Sequence, residues 1–420
     1  MALKVDPMVL VDLAKKVNPV AVISGTNGKT TTTNLVADCL QTAGVPLYCN
    51  REGNNLQSGI VTSLMLAPDT SKVVDAASAA QAPVGCFECD EMYTKYVLPR
   101  LRPHYFMLLN LFRDQLDRFG EIDRIQATIA EALAKTPETM FVFNGDDPLC
   151  AAIADRIPNK SLAFGIASDM GLSADRISDS RFCQKCGGAL EYDYVHYGQL
   201  GAYRCPDCGW ARPELAFAAT NVRLGEDGFV FDIDGRSVHT GHTGAYMVYN
   251  VLAAYVISKL SSIVSFENYQ AAVREYHPTN GRLQTFDLGE RKVMTNLAKN
   301  PTGFNQNIRI VLNERGRVLA LFVNDNDADG HDVSWFWDID FERWSQIEGL
   351  RAFVGGTRAN DMQVRLKYAG IQAEIVENVA DVLAATGVDD GKVYIIANYT
   401  ALPAVRRELE GLEATAKGEE

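Results

Sequence analysis

Near the start of the chain, Ser24-Gly-Thr-Asn-Gly-Lys-Thr-Thr-Thr32 has the residue types and spacing to hold phosphate. Glycines let a backbone curl until its amides point at phosphate oxygens, and a following helix adds a favourable dipole. In such a loop Lys29 reaches the β- and γ-phosphates of a nucleotide and Thr30 ligates Mg²⁺. Gly25, Thr26, Asn27, Gly28 and Thr31 complete the cradle. Only Thr26 and Asn27 separate Gly25 from Gly28-Lys29, so the loop is a shortened variant of the common form. The alternative is an incidental Gly/Thr turn ahead of a helix.

A second constellation lies in mid-chain. Cys183-Gln-Lys-Cys186 and Cys205-Pro-Asp-Cys208 are two C-x-x-C pairs, each followed by glycine, with 18 residues between them. This is the spacing of a zinc ribbon with a closed, structural four-cysteine site. A redox pair or unligated cysteines are the alternatives. Cys39, Cys49, Cys86, Cys89 and Cys150 remain. Cys86-Phe-Glu-Cys89 lies on an apparent strand without a second pair and reads as buried packing. No G-x-C-x-G nucleophile elbow surrounds any of the nine cysteines, so the chain carries no glutaminase of its own.

These residues need elements to position them. Residues 1–18 read as one amphipathic helix that Pro19 ends, and Val20–Ser24 as a buried strand leading into the loop. Thr31–Thr42 continues as a helix. Apolar runs at Val84–Phe87, Tyr105–Leu109 and Met140–Phe143 alternate with helical stretches such as Ile122–Lys135, the pattern of a mainly parallel α/β sheet. Residues 170–240 break this rhythm and read as a small β insertion, with the ribbon at about 178–213. A helix returns at Ala245–Lys259, and His277–Arg282 reads as a linker. Strands at Lys292–Thr295, Arg317–Val323, Ala352–Val354, Gln372–Val376 and Val393–Ala397, with a helix in each gap, predict a second, Rossmann-like α/β domain. The expected division is 1–285, 290–412 and a frayed tail, 413–420.

Hydrophobic residues at 47% and charged residues at 22% exclude wholesale disorder. No apolar run approaches the roughly 20 residues of a membrane helix, and the N-terminus lacks a signal-peptide core, so a cytoplasmic protein is expected. A net charge of −13 argues against nucleic acid as a partner.

The loop Gly25-Thr-Asn-Gly-Lys-Thr-Thr31 resembles that of the Mur ligases and folylpolyglutamate synthases, which phosphorylate a carboxylate with ATP and let an amine attack the acyl phosphate. Phe87-Glu-Cys-Asp-Glu91 is similar to the segment holding their Mg²⁺-binding glutamate, which points to Glu88. Asn110–Gly120 resembles their N-x-x-x-D-H-L-D-x-x-G, with Gln115 in place of the histidine. Phe143–Pro148 resembles their nucleotide-holding N-x-D-D-P turn and implicates Asn144 and Asp147. Tyr249–Ala254 is similar to the N-x-x-A-A helix that sets Asn250 near the adenine, and Gly281-Arg282 to a G-R whose arginine contacts ATP. The ligases' D-Y-A-H-x-P reads Asn296-Leu-Ala-Lys-Asn-Pro301 here, leaving Lys299 as a phosphate contact or a surface lysine.

Asn324-Asp-Asn-Asp-Ala-Asp-Gly-His-Asp-Val-Ser-Trp-Phe-Trp-Asp338, Arg358–Met362 and Asn398–Ala401 look like the MurT family, the Mur-ligase-like subunits of lipid II isoglutaminyl synthases. That resemblance extends to the ribbon and to the early position of Lys29, which leaves no room for the Mur ligases' N-terminal substrate domain. It implies ATP- and Mg²⁺-dependent activation of the D-glutamate α-carboxylate in lipid II at the inner membrane face. Amidation would follow, with ammonia from a GatD-type glutaminase in a heterodimer. It also implies an aspartate that orients the partner's catalytic histidine: Asp332, or else Asp338. Trp335, Phe336 and Trp337 either anchor an interface or fill the domain's own core. The alternatives are an independent ligase of the Mur or folylpolyglutamate type and a zinc-stabilised scaffold without catalysis.

Overall fold

The computed structural model describes residues 2–71, 73, 82–113, 122–176, 178–278 and 281–418. Among these, the chain forms two compact units. The first holds the residues up to 113, then 122–174 and 178–276; the second holds 175–176 and 277–418.

The first unit is built on nine strands. They are β1 (Asn18–Ser24), β2 (Leu47–Cys49), β3 (Val84–Glu88), β4 (Tyr105–Leu108), β5 (Met140–Asn144), β6 (Ser161–Ile166), and, beyond the β7 (Glu191–Tyr197) and β8 (Leu200–Arg204) hairpin, β9 (Phe217–Leu224), β10 (Phe229–Ile233) and β11 (Arg236–His239). The sheet order is β11-β10-β9-β6-β5-β4-β1-β3-β2. Strands β2 to β9 pair in parallel, and β9, β10 and β11 continue as an antiparallel meander. The central strands are near-continuous apolar runs because helices cover both faces of such a sheet. Val22, Phe87, Phe106 and Phe141 share one core with Leu10, Ile60 and Leu133. Cys183, Tyr203, Cys205 and Trp210 of the ribbon belong to that same core.

The second unit carries the sheet β12-β13-β17-β14-β15-β16. Its strands are β12 (Gln284–Asp287), β13 (Lys292–Leu297), β14 (Val318–Phe322), β15 (Arg351–Gly355), β16 (Ala373–Ile375) and β17 (Val393–Ala397). All neighbours are parallel except the edge pair β12–β13. The α/β class and mainly parallel sheets agree with the sequence, whereas several elements differ.

The N-terminal helix is two, α1 (Ala2–Val5) and α2 (Val9–Ala14). Pro7 bars Asp6 from the helical region, and the Asp6 carboxylate takes the Met8 amide at 2.8 Å. Strand β1 begins at Asn18, whose amide donates to Pro83, rather than after Pro19. The stretch read as a β insertion is partly main sheet: Phe217–His239 extends that sheet through β6, leaving only the β7–β8 hairpin apart. Strand β12 follows the segment read as a linker, ahead of Lys292–Thr295, the first strand expected in the second domain. Between β14 and β15 there is no α-helix, only the 3-10 turns Ser334–Asp338 and Phe341–Gln346. A side chain there competes for a backbone amide: the Asp332 carboxylate takes that of Ser334. The tail is not frayed from residue 413. Helix Leu402–Lys417 continues to Gly418, supported by a Glu413–Lys417 pair one turn apart.

Candidate functional site

Strand β1 delivers its last residue, Ser24, with its hydroxyl donating to the Cys89 carbonyl at 2.8 Å. The loop then turns into α3 (Lys29–Thr42) through Gly28, at φ +86°. A β-carbon on Gly28 would lie 2.5 Å from the Asn250 side-chain oxygen, so only glycine fits. The loop is fastened on the side of β4: Asn110 accepts from the Asn27 amide at 2.9 Å and donates to its carbonyl at 3.0 Å. Thr26 meets the Phe112 backbone through both amide and carbonyl.

Lys29 is nearly buried. Its ammonium donates to the Gly25 carbonyl and to both carboxylate oxygens of Glu91, at 3.1 and 3.3 Å. Glu91 is the residue that motif reading overlooked: it lies in the quoted Phe87–Glu91 segment, three residues past Glu88. Glu88 closes β3 and is 2% exposed. Its Oε1 accepts from Asn55 at 3.1 Å, while its Oε2 is buried without a hydrogen-bond partner. A β-carbon placed on Gly53 would meet Thr30 Oγ1 at 3.1 Å and Glu88 Oε2 at 3.5 Å, so these two oxygens face one point. A buried, unsatisfied carboxylate oxygen beside a threonine hydroxyl is the donor chemistry that suits Mg²⁺.

Asn144 and Asp147 act within the walls of the site. Asn144 donates to the Leu109 carbonyl at 3.0 Å and accepts from the Asp146 amide. Asp147 caps the next helix through the Leu149 amide and takes the Leu111 amide at 2.8 Å. Burial pushes its carboxyl up to about 6. Asn250 accepts from the Thr32 hydroxyl at 3.2 Å, which sets it at the phosphate loop. Asp114–Gly120, with Gln115, lie outside the described residues.

The ribbon cysteines converge. Their four Sγ atoms lie within 4.8 Å of one another, with Cys183–Cys208 at 3.6 Å and Cys186–Cys205 at 3.5 Å. Sulfurs on a tetrahedral zinc, with Zn–S of about 2.3 Å, stand about 3.8 Å apart. A disulfide would need about 2.05 Å. The set therefore fits zinc. The other five cysteines form no disulfide; burial pushes Cys49 up to about 12 and Cys86, Cys89 and Cys150 well above the usual range. Such thiols are poor nucleophiles.

In the second unit the signature residues gather at the ends of the parallel strands. The Asn398 side chain grips the Asn324 backbone, its oxygen accepting from the Asn324 amide at 3.0 Å and its nitrogen donating to the Asn324 carbonyl at 2.7 Å. Thr400 accepts from Asn324 and Asn326 and donates to Asp329. Arg358 pairs with Asp325 at 2.7 Å. Asp332 is exposed, and the Ser334 hydroxyl and amide hold its carboxyl below the usual range. Asp338 and Lys299 are half-buried. The aromatic run divides: Phe336 is buried, Trp335 packs on Phe304, and Trp337 is 48% exposed beside Tyr368. Arg282 is half-buried and belongs to this unit.

Comparison with known proteins adds a second line of observation. Residues 23–206 match the Mur ligase middle domain and residues 297–402 the MurT ligase C-terminal domain. The MurT subunit of lipid II isoglutaminyl synthase (glutamine-hydrolyzing) from Staphylococcus aureus (strain N315) is 33% identical over 97% of this chain and 91% of its own length. The chain belongs to the MurT family. The MurT subunit of Streptococcus pneumoniae (strain ATCC BAA-255 / R6) is also 33% identical, over 99% of this chain and 92% of its own. A pseudomurein peptide ligase type C from Methanothermus fervidus has the same fold, with a TM-score of 0.69 at 18% identity, covering 95% of this chain and 80% of its own. MurF ligase from Thermotoga maritima, solved with ADP, gives a TM-score of 0.64 at 14% identity, covering 99% and 85%. The fold and the family thus agree with the motifs that suggested them.

Proposed function

We propose that this chain is the ATP-dependent synthetase subunit of a lipid II isoglutaminyl synthase. The observation that carries the reading is the phosphate loop with Thr30 and the unsatisfied Glu88 oxygen facing one point, in a MurT-family chain. The reaction is γ-phosphoryl transfer from ATP to the α-carboxylate of D-glutamate in the lipid II stem peptide. Ammonia then displaces phosphate from the acyl phosphate and leaves D-isoglutamine.

Gly25–Thr31 cradle the phosphates through their amides, and Lys29 exchanges its Glu91 partner for phosphate oxygens. Thr30 and Glu88 would hold Mg²⁺, which would offset the phosphate charge. Asn144, Asp147 and Asn250 hold the walls of the site, and the family resemblance assigns Arg282 to ATP. Zinc on Cys183, Cys186, Cys205 and Cys208 is structural, since four thiolates leave no open position. A GatD-type glutaminase supplies ammonia, and Asp332, with Asp338 as the second choice, orients that partner's histidine. The first unit serves the nucleotide and the second serves the partner. No helix among the described residues is long and apolar enough to cross a membrane. The need for ATP assigns the reaction with lipid II to the cytoplasmic face of the membrane.

The test is co-purification with a glutaminase partner, then ATP- and glutamine-dependent amidation of lipid II followed by mass spectrometry. Amide formation that Lys29→Ala reduces at least about 10²-fold, with partner binding intact, is the expected result. ATP-dependent addition of an amino acid instead of an amide would favour an independent ligase and overturn the proposal.

A further inference from the structure

The ribbon cysteines stand at the open end of the β7–β8 hairpin. Its turn, residues 197–201, lies against the walls of the phosphate loop. The Tyr197 ring stacks on Phe112 with centroids 6.1 Å apart, and Phe112 is the residue whose backbone grips Thr26. Gln199 is fully buried. Its amide nitrogen donates to the Leu111 carbonyl at 2.7 Å and to the Asp147 carboxylate at 3.3 Å. The Gly201 amide donates to the Asp146 carbonyl at 3.0 Å. One hairpin turn therefore ties the segment after β4, which holds Thr26 and Asn27, to the segment after β5.

A second path runs from β7 to the same loop. The Tyr249 hydroxyl lies 2.7 Å from both His196 Nδ1 and Asp146 Oδ2. The next residue, Asn250, touches Thr32 and Gly28. The cost of this arrangement is visible at Gln199: its Oε1 is buried without a hydrogen-bond partner. An apolar side chain such as methionine would fill a similar volume without burying an unmet acceptor. What the amide adds is the pair of contacts to Leu111 and Asp147.

We infer that Gln199 is a positioning residue for the nucleotide, and that the zinc-ribbon hairpin serves as a brace for the phosphate loop. The inference deepens the ATP reading and rests on it. Gln199→Met keeps bulk and removes the donor. Isothermal titration with MgATP should give binding weaker by about tenfold, the effect of one lost hydrogen bond of ordinary strength. Zinc content and KM for lipid II should stay at the unaltered values. In the unaltered chain, hydrogen exchange should slow on MgATP addition at amides 197–201 as well as in the loop.

Equal MgATP binding by Gln199→Met overturns the inference. So does exchange at 197–201 that ignores MgATP, which decides the matter even if the variant fails to fold. An unaltered chain that binds no MgATP instead defeats the nucleotide reading, and this inference with it.

Discussion

The ion pair between Lys29 and Glu91 decides how the phosphate loop behaves before nucleotide arrives. Both side chains are about nine-tenths buried, so the carboxylate neutralises a charge that would otherwise sit uncompensated in a poorly solvated place. Nucleotide phosphates offer the same compensation. Glu91→Gln should therefore lower the melting temperature of the free chain, as expected when one partner of a buried pair is removed, at a cost of about 3 kcal/mol. MgATP should restore most of that loss, so the ligand-induced thermal shift should exceed that of the unaltered chain. A shift no larger than in the unaltered chain would count against the exchange of partners. Gly28→Ala is harsher, because the new β-carbon meets Asn250 and the backbone is held at φ +86°. Titration should find MgATP binding weakened by about tenfold or more. The loop residues and Glu88 were legible from motif and resemblance. Glu91 was not, since an acid three residues beyond a proposed metal ligand has no signature until its partner is placed beside it.

Among elements, the ribbon hairpin is the clearest case of local spacing that carries a long-range consequence. The two C-x-x-C turns read from the sequence as one ligand set, and their four sulfurs lie within 4.8 Å of one another. That Cys183, Cys205, Tyr203 and Trp210 share the core of the nucleotide unit was not legible there, because burial depends on what packs above them. Elemental analysis should find one zinc per chain, lost in Cys205→Ser. The melting temperature should fall with it, since the free energy of metal binding no longer adds to that of folding. A metal-free chain with unchanged melting temperature would refute the zinc site. The elements misread from sequence share a cause. Pro7 overrides a continuous amphipathic pattern. Between β14 and β15 the Asp332 carboxylate takes the Ser334 amide, which a helix there would need. Strands β9 to β11 were assigned to an insertion because their alternation says nothing about which sheet they join.

For the whole molecule the question is how an ATP site and an ammonia source cooperate. The exposed carboxylate of Asp332 already serves the Ser334 amide at 2.8 Å, an ordinary loop-capping bond. Its assigned role toward a glutaminase is thus separable from folding. Asp332→Asn keeps one oxygen for that bond and removes the charge. Glutamine-driven amidation should fall by at least about 10²-fold, while amidation from added ammonium stays at the unaltered rate. If both rates persist, the same pair of assays on Asp338→Asn decides between the two acids.

Sequence alone determined what depends on neighbours along the chain. The strand–loop–helix of residues 20–42, the ligand spacing of the ribbon, the α/β class and the family all rest on short runs whose geometry is local. Tertiary structure decided what depends on residues brought together from far apart. Glu91 reaches Lys29 across 62 positions, Gln199 reaches Leu111 across 88, and Asn250 meets Thr32 across 218. A buried polar group must find its partner somewhere, but spacing does not say where. Only the packed sheet, with β4 beside β1, β5 beside β4 and the hairpin turn against the segments that follow both, sets those partners in place.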